Sequence, residues 1–282
     1  MERIQSAIAK ARAERSNPIP AASLPMPEQP AVEKTLPAGP FFAQSATDSH
    51  WVALAPFVPD PARLARQRIV TVAGGRDAVP FDVMRTRFLQ QIRQNKWRRV
   101  AITSPTAACG KTTIALNLAF GLARQPTLRT ILCELDLRRP TISAVLGLRD
   151  MLSFAQVIEG QAPFADHARR IGGNLAVALN RSATRNPSEI LQSATVSDAL
   201  AGIEETYAPD VMLFDLPPML VSDDAMAFVG QVDAVLLVAA AEATSIKQID
   251  TCERDLAAQT NVMGVILNKC RYTGPDHGYD YD

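Results

Sequence analysis

"RRVAITSPTAACGKTTIALNLAFGLARQ", residues 98–125, decides the fold. Val100 to Thr103 form a short apolar run of the kind that makes a strand buried on both faces. From Lys111 onward, apolar residues recur at three- and four-residue spacing, which predicts a helix. Gly110, Lys111 and Thr112 stand between the two. A strand, a turn ending Gly-Lys-Thr and a helix are the setting of a phosphate-binding loop, because a helix N-terminus offers unpaired N–H groups and partial positive charge. The common spacing Gly-x-x-x-x-Gly-Lys-Thr would place a Gly at position 105. Pro105 stands there instead, and Ala107, Ala108 and Cys109 fill the arch.

The backbone of residues 108–113 is expected to meet the β- and γ-phosphates, so Ala107, Ala108, Cys109, Gly110, Lys111, Thr112 and Thr113 are the candidate nucleotide-binding residues. Lys111 would neutralise phosphate charge, and the Thr112 hydroxyl would ligate Mg²⁺. If Ala107 or Ala108 must take φ > 0, each costs about 1–2 kcal/mol, equivalent to roughly tenfold in affinity. Cys109, a thiol at a helix N-terminus, could have a lowered pKa and be redox-sensitive.

Outside this stretch the same alternation continues. "RTILCELD", "NLAVALN", "PDVMLFDLPP", "VDAVLLVAAA" and "NVMGVILNKC" read as further buried strands. "PSEILQSATVSDALAGIEETY" and "TSIKQIDTCERDLAAQT" read as helices between them. The pattern predicts an α/β fold: a doubly wound, mostly parallel sheet with helices on both faces, whose ligands sit at the carboxyl ends of the strands.

The chain has 282 residues, enough for one α/β domain plus an appended segment. Its hydrophobic content of 47% fits a sizeable core. Lys plus Arg balance Asp plus Glu at 29 each, so no global field favours nucleic acid or an anionic membrane, and no nucleic-acid partner is expected. Cys109, Cys133, Cys252 and Cys270 are scattered without metal spacing, as in reduced cytosolic thiols. No run approaches the roughly 20 apolar residues of a membrane span. The expected location is cytoplasmic, with any membrane association supplied by a partner.

Residues 1–16 read as a short basic amphipathic helix, with Ile4, Ala7, Ile8 and Ala11 at helical spacing. Ten of the 20 prolines fall between Pro18 and Pro61, which predicts a flexible Pro-rich linker over residues 17–65. The P-loop domain is expected over 66–268 and a tyrosine-bearing tail over 269–282.

Two acidic motifs complete the candidate site. In "ILCELDLRRP", Glu134 and Asp136 alternate at a strand end and are both expected to face the phosphates, holding Mg²⁺ or accepting a proton. Asp215 ends "VMLFDLPP" in the manner of a Walker B strand and would orient the Mg²⁺ shell, with Pro217 and Pro218 stiffening the loop beyond. Asn268, in "NKC", ends the last strand where a nucleotide base would lie; Arg271 replaces the Asp that reads guanine in N-K-x-D loops, so adenine is expected.

With these motifs in place, the chain resembles the bacterial tyrosine kinases (BY-kinases) of the CpsD/CapB type, cytoplasmic ATPases of capsule and exopolysaccharide chain-length control. Their "TSPTPGEGKST", "DADLRRP" and "IDTPP" compare with "TSPTAACGKTT", "ELDLRRP" and "FDLPP" here, and "NPSEIL", Asp224 and "GVILNK" are also similar. The resemblance runs from about residue 80 to the end. It implies an ATP- and Mg²⁺-dependent tyrosine autokinase that phosphorylates C-terminal tyrosines of neighbouring copies and works with a membrane-embedded polysaccharide co-polymerase. Lys111, Thr112, Asp136 and Asp215 match its phosphate and Mg²⁺ positions, and Glu134 takes the place of an Asp. Tyr272, Tyr279 and Tyr281 match its phosphoacceptors; three of the chain's four tyrosines lie in "RYTGPDHGYDYD", a polar stretch suited to phosphorylation.

The family's E-x-x-R-x-x-R ring-assembly helix has a partial counterpart in Asp82, Arg85 and Arg87. A MinD/ParA-type positioning ATPase shares the fold expected here, but Thr106 stands where that class has its signature Lys. A non-catalytic nucleotide-binding scaffold of an export machine is the other alternative.

Overall fold

A computed structural model describes residues 46–271. The helix predicted over 1–16 and the tail tyrosines lie outside the described residues, as does the linker up to residue 45.

The expected strands form the centre of the molecule. β1 (Arg99–Thr103), β2 (Thr130–Glu134), β3 (Ala168–Ile171), β4 (Leu175–Ala178), β5 (Val211–Asp215), β6 (Ala234–Ala240) and β7 (Asn261–Asn268) make one seven-stranded sheet in the order β3-β4-β2-β5-β1-β6-β7. Every pairing is parallel except β3 with β4. Alternate residues feed two cores: Ala101, Ile131, Met212 and Val235 belong to one, Val100, Leu132, Leu213 and Leu236 to the other. That two-sided burial is why β1, β2, β4, β5 and β6 read as unbroken apolar runs; β7, expected to be buried as well, is an edge strand with Val265 and Leu267 exposed. β3, by contrast, is a half-exposed edge strand containing Arg169 and Arg170, and has no such signature.

The helices are α1 (Ala46–Ala53), α2 (Pro61–Arg66), α3 (Val79–Asn95), α4 (Lys111–Ala123), α5 (Ile142–Leu146), α6 (Phe154–Ile158), α7 (Phe164–His167), α8 (Pro187–Gln192), α9 (Ala194–Tyr207), α10 (Asp224–Phe228) and α11 (Ile246–Ala257). "PSEILQSATVSDALAGIEETY" is two helices, not one. The backbone leaves the helical region at Ser193, whose hydroxyl then caps α9 through Thr195 N–H. α11 opens on a capping box formed by Ser245 and Gln248.

The linker expected over 17–65 does not extend that far. Trp51 is 2% exposed, its indole N–H donates to the Gly173 carbonyl at 2.8 Å, and the Arg129 guanidinium lies 5.6 Å from its ring centroid. Residues 55–57 exchange backbone hydrogen bonds with Arg170 and so cover the β3 edge. Leu64 is buried in the second core, and the Arg63 side chain donates to the Ala144 and Val145 carbonyls at the end of α5. Proline content concealed this segment: Pro56, Pro59 and Pro61 punctuate short packed pieces, and Pro61 opens α2.

Asp82 and Arg85 also have an intrachain role. They pair at 3.2 Å, Asp82 pairs with Arg124 at 2.8 Å, and Arg85 donates to the Gly121 carbonyl, tying α3 to α4. Among the described residues no helix is long and apolar enough to cross a membrane.

If residues 46–66 belong to the folded domain, Trp51→Ala should destabilise it by about 3–5 kcal/mol. The thermal midpoint should then fall by roughly 10 °C in a melt followed by circular dichroism. A flexible linker there would leave the midpoint unchanged.

Candidate functional site

The strand order places β2, β5 and β1 side by side, so the loops after Glu134, Asp215 and Thr103 meet at one end of the sheet. The loop after β1 is fastened at its start. The Ser104 and Pro105 carbonyls accept from Met219 and Leu220 N–H at 2.9 and 3.0 Å, and the Thr103 hydroxyl donates to the Pro217 carbonyl at 2.7 Å. The proline in place of Gly thus serves as an acceptor, and needs no N–H there.

The arch turns through left-handed backbone at Ala108 (φ 63°) and Gly110 (φ 95°). Glycine suits position 110 on both counts, since its backbone is left-handed and a Cβ there would lie 2.2 Å from Asn268 Nδ2. Ala108 takes the strained conformation with its Cβ in place, whereas Ala107 is not among the positive-φ residues.

A cleft of about 380 Å³ opens above this arch. Ala107, Ala108, Gly110, Lys111, Thr112 and Asp136 line one part of it, and Arg138, Arg139, Pro217, Pro218, Val221 and Ser222 line another. Lys111 Nζ lies 2.9 Å from Asp136 Oδ2 and 3.6 Å from Asp215 Oδ1, and Thr112 Oγ1 donates to Asp215 Oδ2 at 2.7 Å. Burial alone would lower the Lys111 pKa, but Asp215 and Asp136 outweigh it and hold the ammonium above its ordinary value. Burial raises the Asp215 carboxyl against the pull of Lys111 and Thr112.

Mg²⁺ suits this donor set. A hydroxyl and two carboxylates are hard oxygen ligands, and Asp215 Oδ1 is buried with no hydrogen-bond partner. Among the described residues no group of three or more His, Cys, Asp or Glu side chains could hold a metal ion. Magnesium here would therefore arrive with phosphate oxygens, as is usual for it.

Three of the expected site residues have other work. Glu134 is fully buried and does not face the phosphates: Oε1 accepts from Thr141 and Ile142 N–H at 2.6 and 2.7 Å, and Oε2 from Asn180 N–H at 3.0 Å. One methylene more than Asp takes its carboxylate across to the start of α5. Burial pushes its pKa up to about 7 against those three donors. Asn268 donates its side-chain amide to the Cys109 carbonyl at 2.8 Å, bracing the arch, and is not among the residues lining the cleft. The Cys109 thiol points into the core, 3.5 Å from the Thr106 hydroxyl and 3.6 Å from that of Thr244. Burial raises its pKa, but bonds from Thr106, Thr244 and Ser104 leave it net lowered. Thr113, just inside the helix, does not line the cleft either.

Arg138, Arg139 and Ser222 are cleft residues that the sequence analysis left without a role. The signal was present in "DLRRP", where two arginines follow the acidic pair. Arg138 forks onto Asp224 at 2.6 and 2.9 Å, and Asp224 also accepts from Ser188 and Ser222. Burial would raise the Asp224 pKa, but these donors hold it below its usual value.

A family model for the CobQ/CobB/MinD/ParA nucleotide-binding domain matches residues 100–278. The chain belongs to this family. Its relatives include the tyrosine-protein kinase Wzc of Salmonella typhi, 29% identical over 183 residues, 63% of this chain and 25% of Wzc. The chain thus spans about a quarter of the length of Wzc. They also include the tyrosine-protein kinase CpsD of Streptococcus pneumoniae, 26% identical over 64% of this chain and 79% of CpsD. The solved VpsO kinase domain is 26% identical with a TM-score of 0.62, covering 73% of this chain and 98% of that one. MinD of Pyrococcus horikoshii, solved with Mg-ADP, is 19% identical with a TM-score of 0.53 and shares the fold.

Two substitutions separate structural from site roles. Glu134→Ala strands three backbone N–H groups and should cost about 2–4 kcal/mol, or roughly 5–10 °C in the thermal midpoint. Nucleotide affinity, read by titration calorimetry, should change less than about twofold. Because the folded pKa of about 7 exceeds the ordinary 4.5, the stability this carboxyl contributes is fullest below pH 4.5 and is lost as pH rises through about 7. The wild-type advantage over Glu134→Ala should shrink across that window. Ala108→Gly relieves about 1–2 kcal/mol of left-handed strain and gives back up to about 1 in chain entropy, so its midpoint should rise by a few degrees.

Proposed function

We propose that the chain is an ATP-dependent protein-tyrosine kinase that phosphorylates Tyr272, Tyr279 and Tyr281 of neighbouring copies, and so regulates polymerisation and export of an exopolysaccharide or capsule. The observation that carries this reading is the position of β7. Its last residue, Asn268, is bonded to the arch at Cys109, so the tyrosine-bearing segment begins beside the phosphate site. The relatives named as tyrosine-protein kinases support the same reaction.

In this reading Lys111 leaves Asp136 and Asp215 to neutralise phosphate charge, and the arch offers its backbone N–H groups. Thr112, Asp136 and Asp215 would hold magnesium, which supplies charge neutralisation at the transferring phosphoryl group. Asp136 is the one carboxylate lining the cleft among the described residues. Transfer to the tyrosine Oη therefore rests on positioning and electrostatics, the main sources of catalysis in phosphoryl transfer. Self-association brings the acceptor, and a membrane-embedded co-polymerase is the proposed partner at the inner membrane.

Incubation with ATP and Mg²⁺, followed by mass-spectrometric mapping, should find phosphotyrosine in the tail. It should vanish in Lys111→Met and when Tyr272, Tyr279 and Tyr281 are all changed to Phe. ATP hydrolysis without phosphotyrosine would instead indicate a positioning ATPase, and neither activity would indicate the scaffold.

A further inference from the structure

The cleft is not lined by phosphate- and metal-binding groups alone. Beyond the arch its lining is apolar, with Pro217, Pro218 and a 65% exposed Val221, and cationic, with Arg138 and Arg139. The Arg138 charge is taken up by Asp224. Arg139 differs: its backbone N–H donates to Asp136 Oδ1 at 3.1 Å, fixing it at the site, while its exposed side chain has no hydrogen bond or ion pair among the described residues. The loop after β4 runs alongside, with Thr184 N–H donating to the Leu137 carbonyl at 2.9 Å. The next residue along it, Arg185, is also exposed and also without an ion pair among the described residues.

We infer that Arg139, supported by Arg185, reads acidic residues flanking the acceptor tyrosine, and that the occupant of this rim is the segment 272–282 of a second copy of the chain. The inference deepens the kinase reading and rests on it. Charge complementarity identifies the occupant: the segment holds Asp276, Asp280 and Asp282 and no Lys or Arg, and Asp280 is adjacent to both Tyr279 and Tyr281. The apolar wall gives an aromatic ring a surface to bury, and the unpaired guanidinium gives a neighbouring carboxylate a fork of donors.

A second copy supplies the segment, as in the transfer between copies proposed above.

The test uses the full chain with Mg-ADP and a fluorescently labelled peptide of residues 271–282, with binding read by anisotropy. At saturating Mg-ADP, Arg139→Glu should weaken peptide binding about tenfold or more, with an unchanged thermal midpoint. A peptide with its three Asp changed to Asn should bind wild type equally weakly, and a peptide with Asp280→Lys should bind Arg139→Glu better than it binds wild type. Equal binding of the Asp and Asn peptides, or an Arg139→Glu variant that binds as wild type does, would overturn the inference. Phosphorylation of the same peptides keeps the two readings apart. Transfer at equal rates to both peptides would sink the role of Arg139 alone, and Arg139-dependent binding without transfer would sink the kinase reading alone.

Discussion

A lysine ammonium buried between two carboxylates organises this protein. Lys111 sits against Asp136 and Asp215, which come from different strands, and none of the three could be left alone at that depth without a cost of several kcal/mol. Their meeting requires β2, β5 and β1 to be neighbours in parallel, and that adjacency in turn requires the crossover helices that cover both faces. The loop after β5 is then laced to the loop after β1 through Ser104, Pro105 and Thr103, so the two sides of the site are held by backbone bonds as well as by charge.

Much of this was legible in the sequence because periodicity and punctuation agree there. The strands buried on both faces announced themselves as apolar runs, and Lys111, Thr112, Asp136 and Asp215 stand where strand ends predict them. What escaped did so for specific reasons. β3 is too exposed to carry an apolar run, and Ser193 interrupts a helical pattern without disturbing its period. Trp51 and Leu64 are isolated anchors in a proline-rich stretch, and single anchors leave no period to detect.

Glu134 shows a different limit. Alternation along a strand places Glu134 and Asp136 on one side, but Asp136 lies two residues past the end of the strand, where alternation no longer governs direction. The two carboxylates therefore diverge. One reaches the cleft, and the other closes the start of α5 and the second residue after β4. Asn268 likewise turned inward, because its amide is within reach of an arch carbonyl that has no helical partner.

The arch also says something about how such loops can drift. Its contacts with an anion would run through main-chain N–H groups, and Ala107 and Ala108 turn their side chains to solvent. At those places the identity of the side chain is nearly free, provided a left-handed residue is tolerated at 108. Position 110 is left-handed, and the Asn268 amide lies where a Cβ would go, so both favour glycine. A lineage could thus lose the glycines by which such loops are usually recognised, one at a time, and keep the loop. The pair it could not separate is the last glycine and the asparagine that leans on it from the far end of the chain.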